Sequence, residues 1–184
     1  AGTMRRADFS AEHPLGLASR YFITDPNTLE CRLDDAWVAI FGEPLDDLEM
    51  LVRLLDRAAA AGRPMLIVAP SVPDEALAIC VVNKLRGIVP CAVAVPRSPA
   101  PETAGMLAEI ARRTGARVVS GAGSDRLQDE GSLGRATTVR ATCDGMALDE
   151  QAALPPGIDD TQARNLKYSL NLKAAVVAGK ARFE

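Results

Sequence analysis

From Trp37 to Ser120, short apolar runs alternate with longer stretches whose apolar residues recur every three or four positions. Trp37 to Phe41 (WVAIF), Met65 to Ala69 (MLIVA) and Cys91 to Val95 (CAVAV) are continuous apolar runs, the pattern of strands buried on both faces. Arg117 to Ser120 is another strand. Between the first two runs, Leu48, Leu51, Leu55 and Ala58 keep helical spacing. Asp46 offers that helix an N-cap with Glu49 as its capping-box partner, and Gly62 followed by Pro64 stops it. Asp74 can cap a second helix, which runs from Glu75 towards Gly87. Glu102 to Arg113 forms a third around Met106, Leu107 and Ile110. Strands separated by helices of this length make βαβ units and a parallel sheet.

The second helix, EALAICVVNKLRGIV from Glu75 to Val89, is too apolar for a surface helix. Ile79, Val82 and Leu85 mark one side, and Leu77 and Val81, with Cys80, mark another. A helix covering a sheet needs one apolar stripe. Either both sides are buried between neighbours, or one is displayed, and displayed aliphatic surface marks a binding site for another apolar chain. Ile79 is assigned to the sheet-facing side.

The flanks are less regular. Leu29 to Leu33 and Val139 to Leu148 read as shorter strands, with Asp144-Gly145 as a hairpin turn. Residues 1–15 form an irregular N-terminal segment. Pro155-Pro156-Gly157 breaks the chain, and residues 151–184 hold a last helix, capped by Asp159 or Asp160 and containing Leu166 and Leu170, with a possible strand. The expected architecture is a single α/β domain over residues 1–184, a central parallel-rich sheet flanked by helices with smaller peripheral strands.

With 184 residues and 48% hydrophobic content, the chain can bury a proper core. A net charge of −3 spread along it gives no footprint for nucleic acid, and 4% aromatic content argues against a base- or sugar-stacking platform. No apolar run is long enough to span a bilayer and no secretory signal opens the chain, so the expected compartment is the cytoplasm. Cys31, Cys80, Cys91 and Cys143 are widely spaced and read as reduced, mostly buried residues.

Candidate chemistry is sparse. Gly121-Ala122-Gly123 follows a strand, but Arg126 stands where a dinucleotide fingerprint needs its third glycine. No phosphate loop is present, and His13 is the only histidine, so neither a histidine metal site nor a triad is suggested. The pairs Asp34-Asp35, Asp46-Asp47 and Asp159-Asp160 look like catalytic carboxylates only superficially; the last two open helices, where capping explains them.

Several segments, in order, resemble the apical domain of group I, GroEL-type chaperonins. Gly16 to Phe22 with Ile23-Thr24-Asp25-Pro26 is similar to that family's opening segment, and Ala60-Ala61-Gly62-Arg63-Pro64 to its helix-to-strand junction. Glu75-Ala76-Leu77-Ala78, Val81-Val82-Asn83 and Arg86-Gly87-Ile88-Val89 are the most specific match. Met106 to Ala111, Thr114-Gly115 and Val118-Val119-Ser120 continue it, and a weaker likeness runs from Ser132 to Leu148. The resemblance covers residues 16 to 150.

What it implies is an exposed two-helix apolar groove that binds non-native polypeptides and, competitively, the mobile loop of a GroES-type co-chaperonin. Position by position, the groove would comprise Leu17, Tyr21, Phe22, Val52, Leu55, Leu77, Val81, Val82 and Asn83. The aliphatic members give non-directional burial, and Tyr21 and Asn83 add polar edges. Leu17 stands where the family has tyrosine and Val52 where it has leucine, so the groove is recontoured. Pro70-Ser71-Val72-Pro73 replaces an acidic stretch, and Pro96 to Pro101 replaces a glycine-rich turn. The resemblance also implies that ATP and magnesium belong to an equatorial domain of a ring-forming parent. This chain would then be no enzyme, would hold no cofactor or metal, and would be monomeric in isolation. Two other readings of the residues stand beside it: a small α/β domain binding a nucleotide or metabolite at the carboxyl ends of its strands, and a domain for one specific folded partner.

Overall fold

The computed structural model describes residues 13–97, 101–120 and 130–150. The chain divides into two units, Ala1–Gln151 and Ala152–Glu184, and the described residues all belong to the first. The turn expected at Gly121-Ala122-Gly123 and the helix and strand expected in 151–184 lie outside them.

The described elements, in chain order, are β1 (Leu15–Leu17), a 3-10 turn (Arg20–Phe22), β2 (Cys31–Phe41), α1 (Leu48–Ala61) and β3 (Met65–Val68). They are followed by α2 (Asp74–Leu85), β4 (Cys91–Pro96), α3 (Thr103–Thr114), β5 (Val118–Val119), β6 (Gly134–Ala141) and β7 (Met146–Glu150). The strands make one sheet in the order β1-β4-β3-β2-β6-β7, with β5 also on β2. Its centre is parallel: β2 pairs with β3 and β5, and β3 with β4. Its periphery is antiparallel, through β1–β4, β2–β6 and β6–β7. The sheet is therefore mixed, and parallel only where βαβ crossovers build it.

The path from β2 through β3 to β4 moves in one direction and the return to β5 reverses it. Right-handed crossovers therefore place α1 and α2 on one face and α3 on the other. Accordingly α1 packs beside α2, while α3 lies against β2, β5 and β6. The sheet also curls until its edges meet. His13 bridges to Met146 of β7 through two backbone hydrogen bonds of 3.0 and 3.1 Å, and the Leu17 amide donates to Thr142 O at 2.9 Å. Gly16 sits so close to the Cys143 carbonyl that a Cβ there would collide with it. With β4 on its other side, β1 leaves neither sheet edge long and open.

Three local expectations are corrected. The strands foreseen at 29–33 and 37–41 are one, β2, because β6 pairs with it from Cys31 to Val38, across the polar Asp34-Asp35 pair. Asp47, not Asp46, caps α1, with Oδ1 accepting from the Met50 amide at 3.0 Å. Adjacent aspartates offer the same chemistry one position apart. The choice falls to burial of Leu45 and to the turn in which the Asp46 amide donates to Pro44 O. Glu49 instead pairs with Arg53 one turn on. At α2 the cap position belongs to Pro73, and Asp74 is the first helical residue, favouring the dipole without a capping hydrogen bond. The hairpin at Asp144-Gly145 forms, held by Thr142 Oγ1, which accepts from the amides of Asp144 (3.1 Å) and Gly145 (3.2 Å).

Among the described residues, the buried Glu30 and Arg63 each have a partner of opposite charge. Arg140 forks onto Glu30 at 2.9–3.1 Å, tying the segment before β2 to β6. Arg63, buried, reaches Asp35 Oδ1 at 3.4 Å and lies 5.7 Å over the Trp37 ring, with Arg57 at 5.9 Å.

Candidate functional site

The α2 helix meets the sheet through two small side chains. Ala76 and Cys80 are the residues of α2 that are fully buried, and they allow the helix to approach β4 closely. Leu77, Ile79 and Val81 are half-buried on its shoulders, packed against the core. Val82 is 45% exposed and Leu85 61%. Ile79, assigned to the sheet-facing side, is half-buried and packs against the core from the shoulder of the helix, while its stripe partners Val82 and Leu85 face outward. Two apolar stripes on a helical wheel cannot say which is covered; the small residues between them decide it, because helix and sheet close on the side of least bulk.

Beside the carboxyl end of α2 sits the 3-10 turn. Ser19 Oγ accepts from the Tyr21 amide at 3.2 Å and caps the turn; Phe22 is buried and Tyr21 is 65% exposed. Lys84, in the last turn of α2, fixes this arrangement. Its Nζ donates to Tyr21 O and, at 3.0 Å, to Ile23 O, carbonyls at the end of the turn. A single ammonium thereby ties the Tyr21 backbone to the helix that carries Val82 and Leu85. Just past the helix, Gly87 takes a left-handed conformation (φ 68°), and Ile88, 51% exposed, hydrogen-bonds back to Asn83 O at 3.0 Å. On α1, Leu51, Leu54, Leu55 and Ala58 are buried, and Val52 is 42% exposed.

Of the nine residues expected to form the groove, Tyr21, Val52 and Val82 present large exposed apolar surface. Leu77, Val81 and Asn83 are half-buried. Leu17, Phe22 and Leu55 are buried in the core and have no surface to offer a ligand; they support the exposed residues from beneath. Asn83 Nδ2 donates to Ile79 O at 2.8 Å, so one of its donors serves its own helix. Leu85 and Ile88 were missed as surface residues. Leu85 carried a signal, its membership in the Val82 stripe. Lys84 carried none, since its partners lie 63 and 61 residues away.

Other candidate chemistry finds structural explanations. Burial pushes the Cys31 thiol up to about 12, and a hydrogen bond with Cys80, together with burial, pushes the Cys91 thiol higher still. Cys91 Sγ lies 3.2 Å from Cys80 O. At neutral pH these thiols are protonated and inert. Asp34 pairs with exposed Arg32 at 3.2 Å. Among the described residues no cluster of three or more His, Cys, Asp or Glu could hold a metal ion, and no helix is long and apolar enough to cross a membrane. The crevice where a doubly wound sheet binds metabolites would open at the carboxyl ends of β2 and β5. There the Gly42 amide donates to Val119 O at 2.8 Å, and Ser120 Oγ sits where a Cβ on Gly42 would be.

This curled mixed sheet with α1 and α2 side by side on one face is similar in fold to part of a solved chaperonin. The solved chaperonin gp146 from the bacteriophage EL 2 (Pseudomonas aeruginosa), determined in the presence of ATP-BeFx, superimposes with a TM-score of 0.59 over 77% of this chain, at 14% identity. The chain spans 28% of that chaperonin's length. No protein-family model matches the sequence.

Proposed function

We propose that this chain is the polypeptide-binding, apical-type domain of a GroEL-like chaperonin, and that it holds non-native segments against the exposed face of α2. The observation that carries this reading is the placement of Tyr21, Val82 and Leu85. Three large apolar side chains stand in water around one helix end, held there by a lysine clamp and backed by a rigid core. Neighbouring Val52 on α1, with Leu77 and Val81 on the shoulders of α2, extends the surface; Asn83 supplies a polar edge. The chaperonin-like fold supports the same reading.

Aliphatic contact has no required direction, which suits a client without fixed structure. Burying roughly 300 to 500 Å² of apolar surface at about 25 cal/mol/Å² gives on the order of 8 to 12 kcal/mol gross. Association and ordering costs of several kcal/mol leave micromolar-scale affinity for one domain, and a ring of such domains gains by avidity. In the intact parent, ATP and magnesium would be bound by an equatorial domain, a co-chaperonin loop would compete for this surface, and the assembly would work in the cytoplasm.

The test is fluorescence anisotropy with a labelled, permanently unfolded polypeptide beside its natively folded counterpart. Micromolar binding of the unfolded form alone supports the reading. Equal binding of both forms, or selective binding of a folded protein, would replace it with a specific-partner domain.

A further inference from the structure

Three cationic residues accompany the exposed apolar surface at the end of α2 along the chain, and this bears on which client segments it takes. From Pro14 to Thr24 and from Leu77 to Pro90 the chain has no acidic residue, yet it has Arg20, Lys84 and Arg86. These three lie within the neighbourhood of Tyr21, Val82, Leu85 and Ile88. Lys84 holds Tyr21 O, the Arg86 amide donates to Val82 O at 3.0 Å, and Arg20 adjoins Tyr21 in the turn. Arg20 and Arg86 are exposed, and neither forms an ion pair with a described residue. The acids of α2, Asp74 and Glu75, are at its other end, about 15 Å away along the axis. Of the nearest carboxylates, Asp25 Oδ1 accepts from the Asn27 amide at 2.8 Å, and Glu30 is held by Arg140. Asp25, its carboxyl held below the usual range by the Asn27 amide, keeps a whole negative charge and the helix terminus adds about half of one, against three whole positive ones.

We propose that this surface selects non-native segments in which carboxylates are interspersed among apolar residues. The inference rests on the polypeptide-binding reading and adds the chemistry of the client. Apolar side chains cover Tyr21, Val82, Leu85 and Ile88, while Asp or Glu side chains reach the guanidinium groups of Arg20 and Arg86 at the rim. Rim charges of this kind set specificity and encounter rate more than gross affinity. The chain's net charge of −3 favours the opposite choice, so selection of acidic segments would report the local surface and not the global field.

Two labelled, permanently unfolded peptides with identical apolar residues, one spaced by Glu and the other by Lys, test this against the wild-type chain and an Arg20→Glu/Arg86→Glu variant. At low salt the Glu peptide should bind about tenfold more tightly, the effect of two exposed charge pairs. The gap should close towards 1 M salt, where screening acts within about 3 Å. The preference should reverse in the double variant, whose circular-dichroism spectrum and melting temperature stay those of the wild type. Equal binding, tighter binding of the Lys peptide, or a Glu preference that survives in the double variant overturns the inference while leaving the apolar surface in place. Binding of neither peptide to the folded protein overturns both this inference and the reading beneath it.

Discussion

The helices α1 and α2 cover the same face of the same sheet and do so in opposite ways. Helix α1 buries its large residues, Leu51, Leu54 and Leu55, and leaves Val52 as its one large exposed apolar side chain. Helix α2 buries Ala76 and Cys80 and leaves Val82 and Leu85 outside. A helix that spends its bulk on the core is scaffold. A helix that seats itself on small residues leaves its bulk outside, and under the proposed function that displayed bulk is what a client covers.

Matched substitutions sharpen the contrast most. Leu55→Ala should cost about 2–5 kcal/mol in urea unfolding, the range for buried leucines, whereas Leu85→Ala should stay within about 0.5 kcal/mol. Similar losses at both sites would mean that α2 buries its outer face after all. The seats also differ in ionisation. Beneath α2 the Cys91 thiol donates to the Cys80 backbone carbonyl at 3.2 Å, and the Lys84 charge acts on both Cys31 and Cys91. The buried residues of α1 are all aliphatic. Cys31 has its folded-state value raised from 9.0 to about 12. The neutral thiol is the form the fold retains, so its contribution is complete below about pH 9 and is lost as pH rises towards 12, because the unfolded chain releases the proton first. The urea midpoint should fall across that window, and less steeply in Cys31→Ala; identical slopes would show that the thiol does not govern alkaline stability. A smaller effect is expected from bulk at the seat. Cys80→Leu should cost about 1–3 kcal/mol by pushing α2 off β4, while Val82→Leu should cost almost nothing.

How much of this was legible in the sequence follows from the range of each interaction. The alternation of strand and helix from Trp37 to Ser120, the stop at Gly62 and the hairpin at Asp144-Gly145 rest on local periodicity and turn chemistry, and the structure has them. The continuity of β2 does not, because its ladder to β6 joins residues such as Cys31 and Ala141 far apart in the chain. For the same reason the closure of the sheet through His13 and Met146 and the Lys84 clamp left no trace. Within the candidate site, the resemblance led to an expected apolar surface on α2 and the Tyr21 turn. It could not separate Leu17, Phe22 and Leu55, which are buried, from Tyr21, Val52 and Val82, which are not. That separation depends on the angle at which each helix settles on the sheet.

Val82→Glu tests the central claim most directly, with binding of an unfolded polypeptide and thermal unfolding measured on the same preparation. A charge at this exposed position costs little until an apolar partner must cover it. The expected result is loss of binding with the melting temperature unchanged. Retained micromolar binding in a folded Val82→Glu protein would contradict the account, since the displayed face of α2 would then have no part in holding a client.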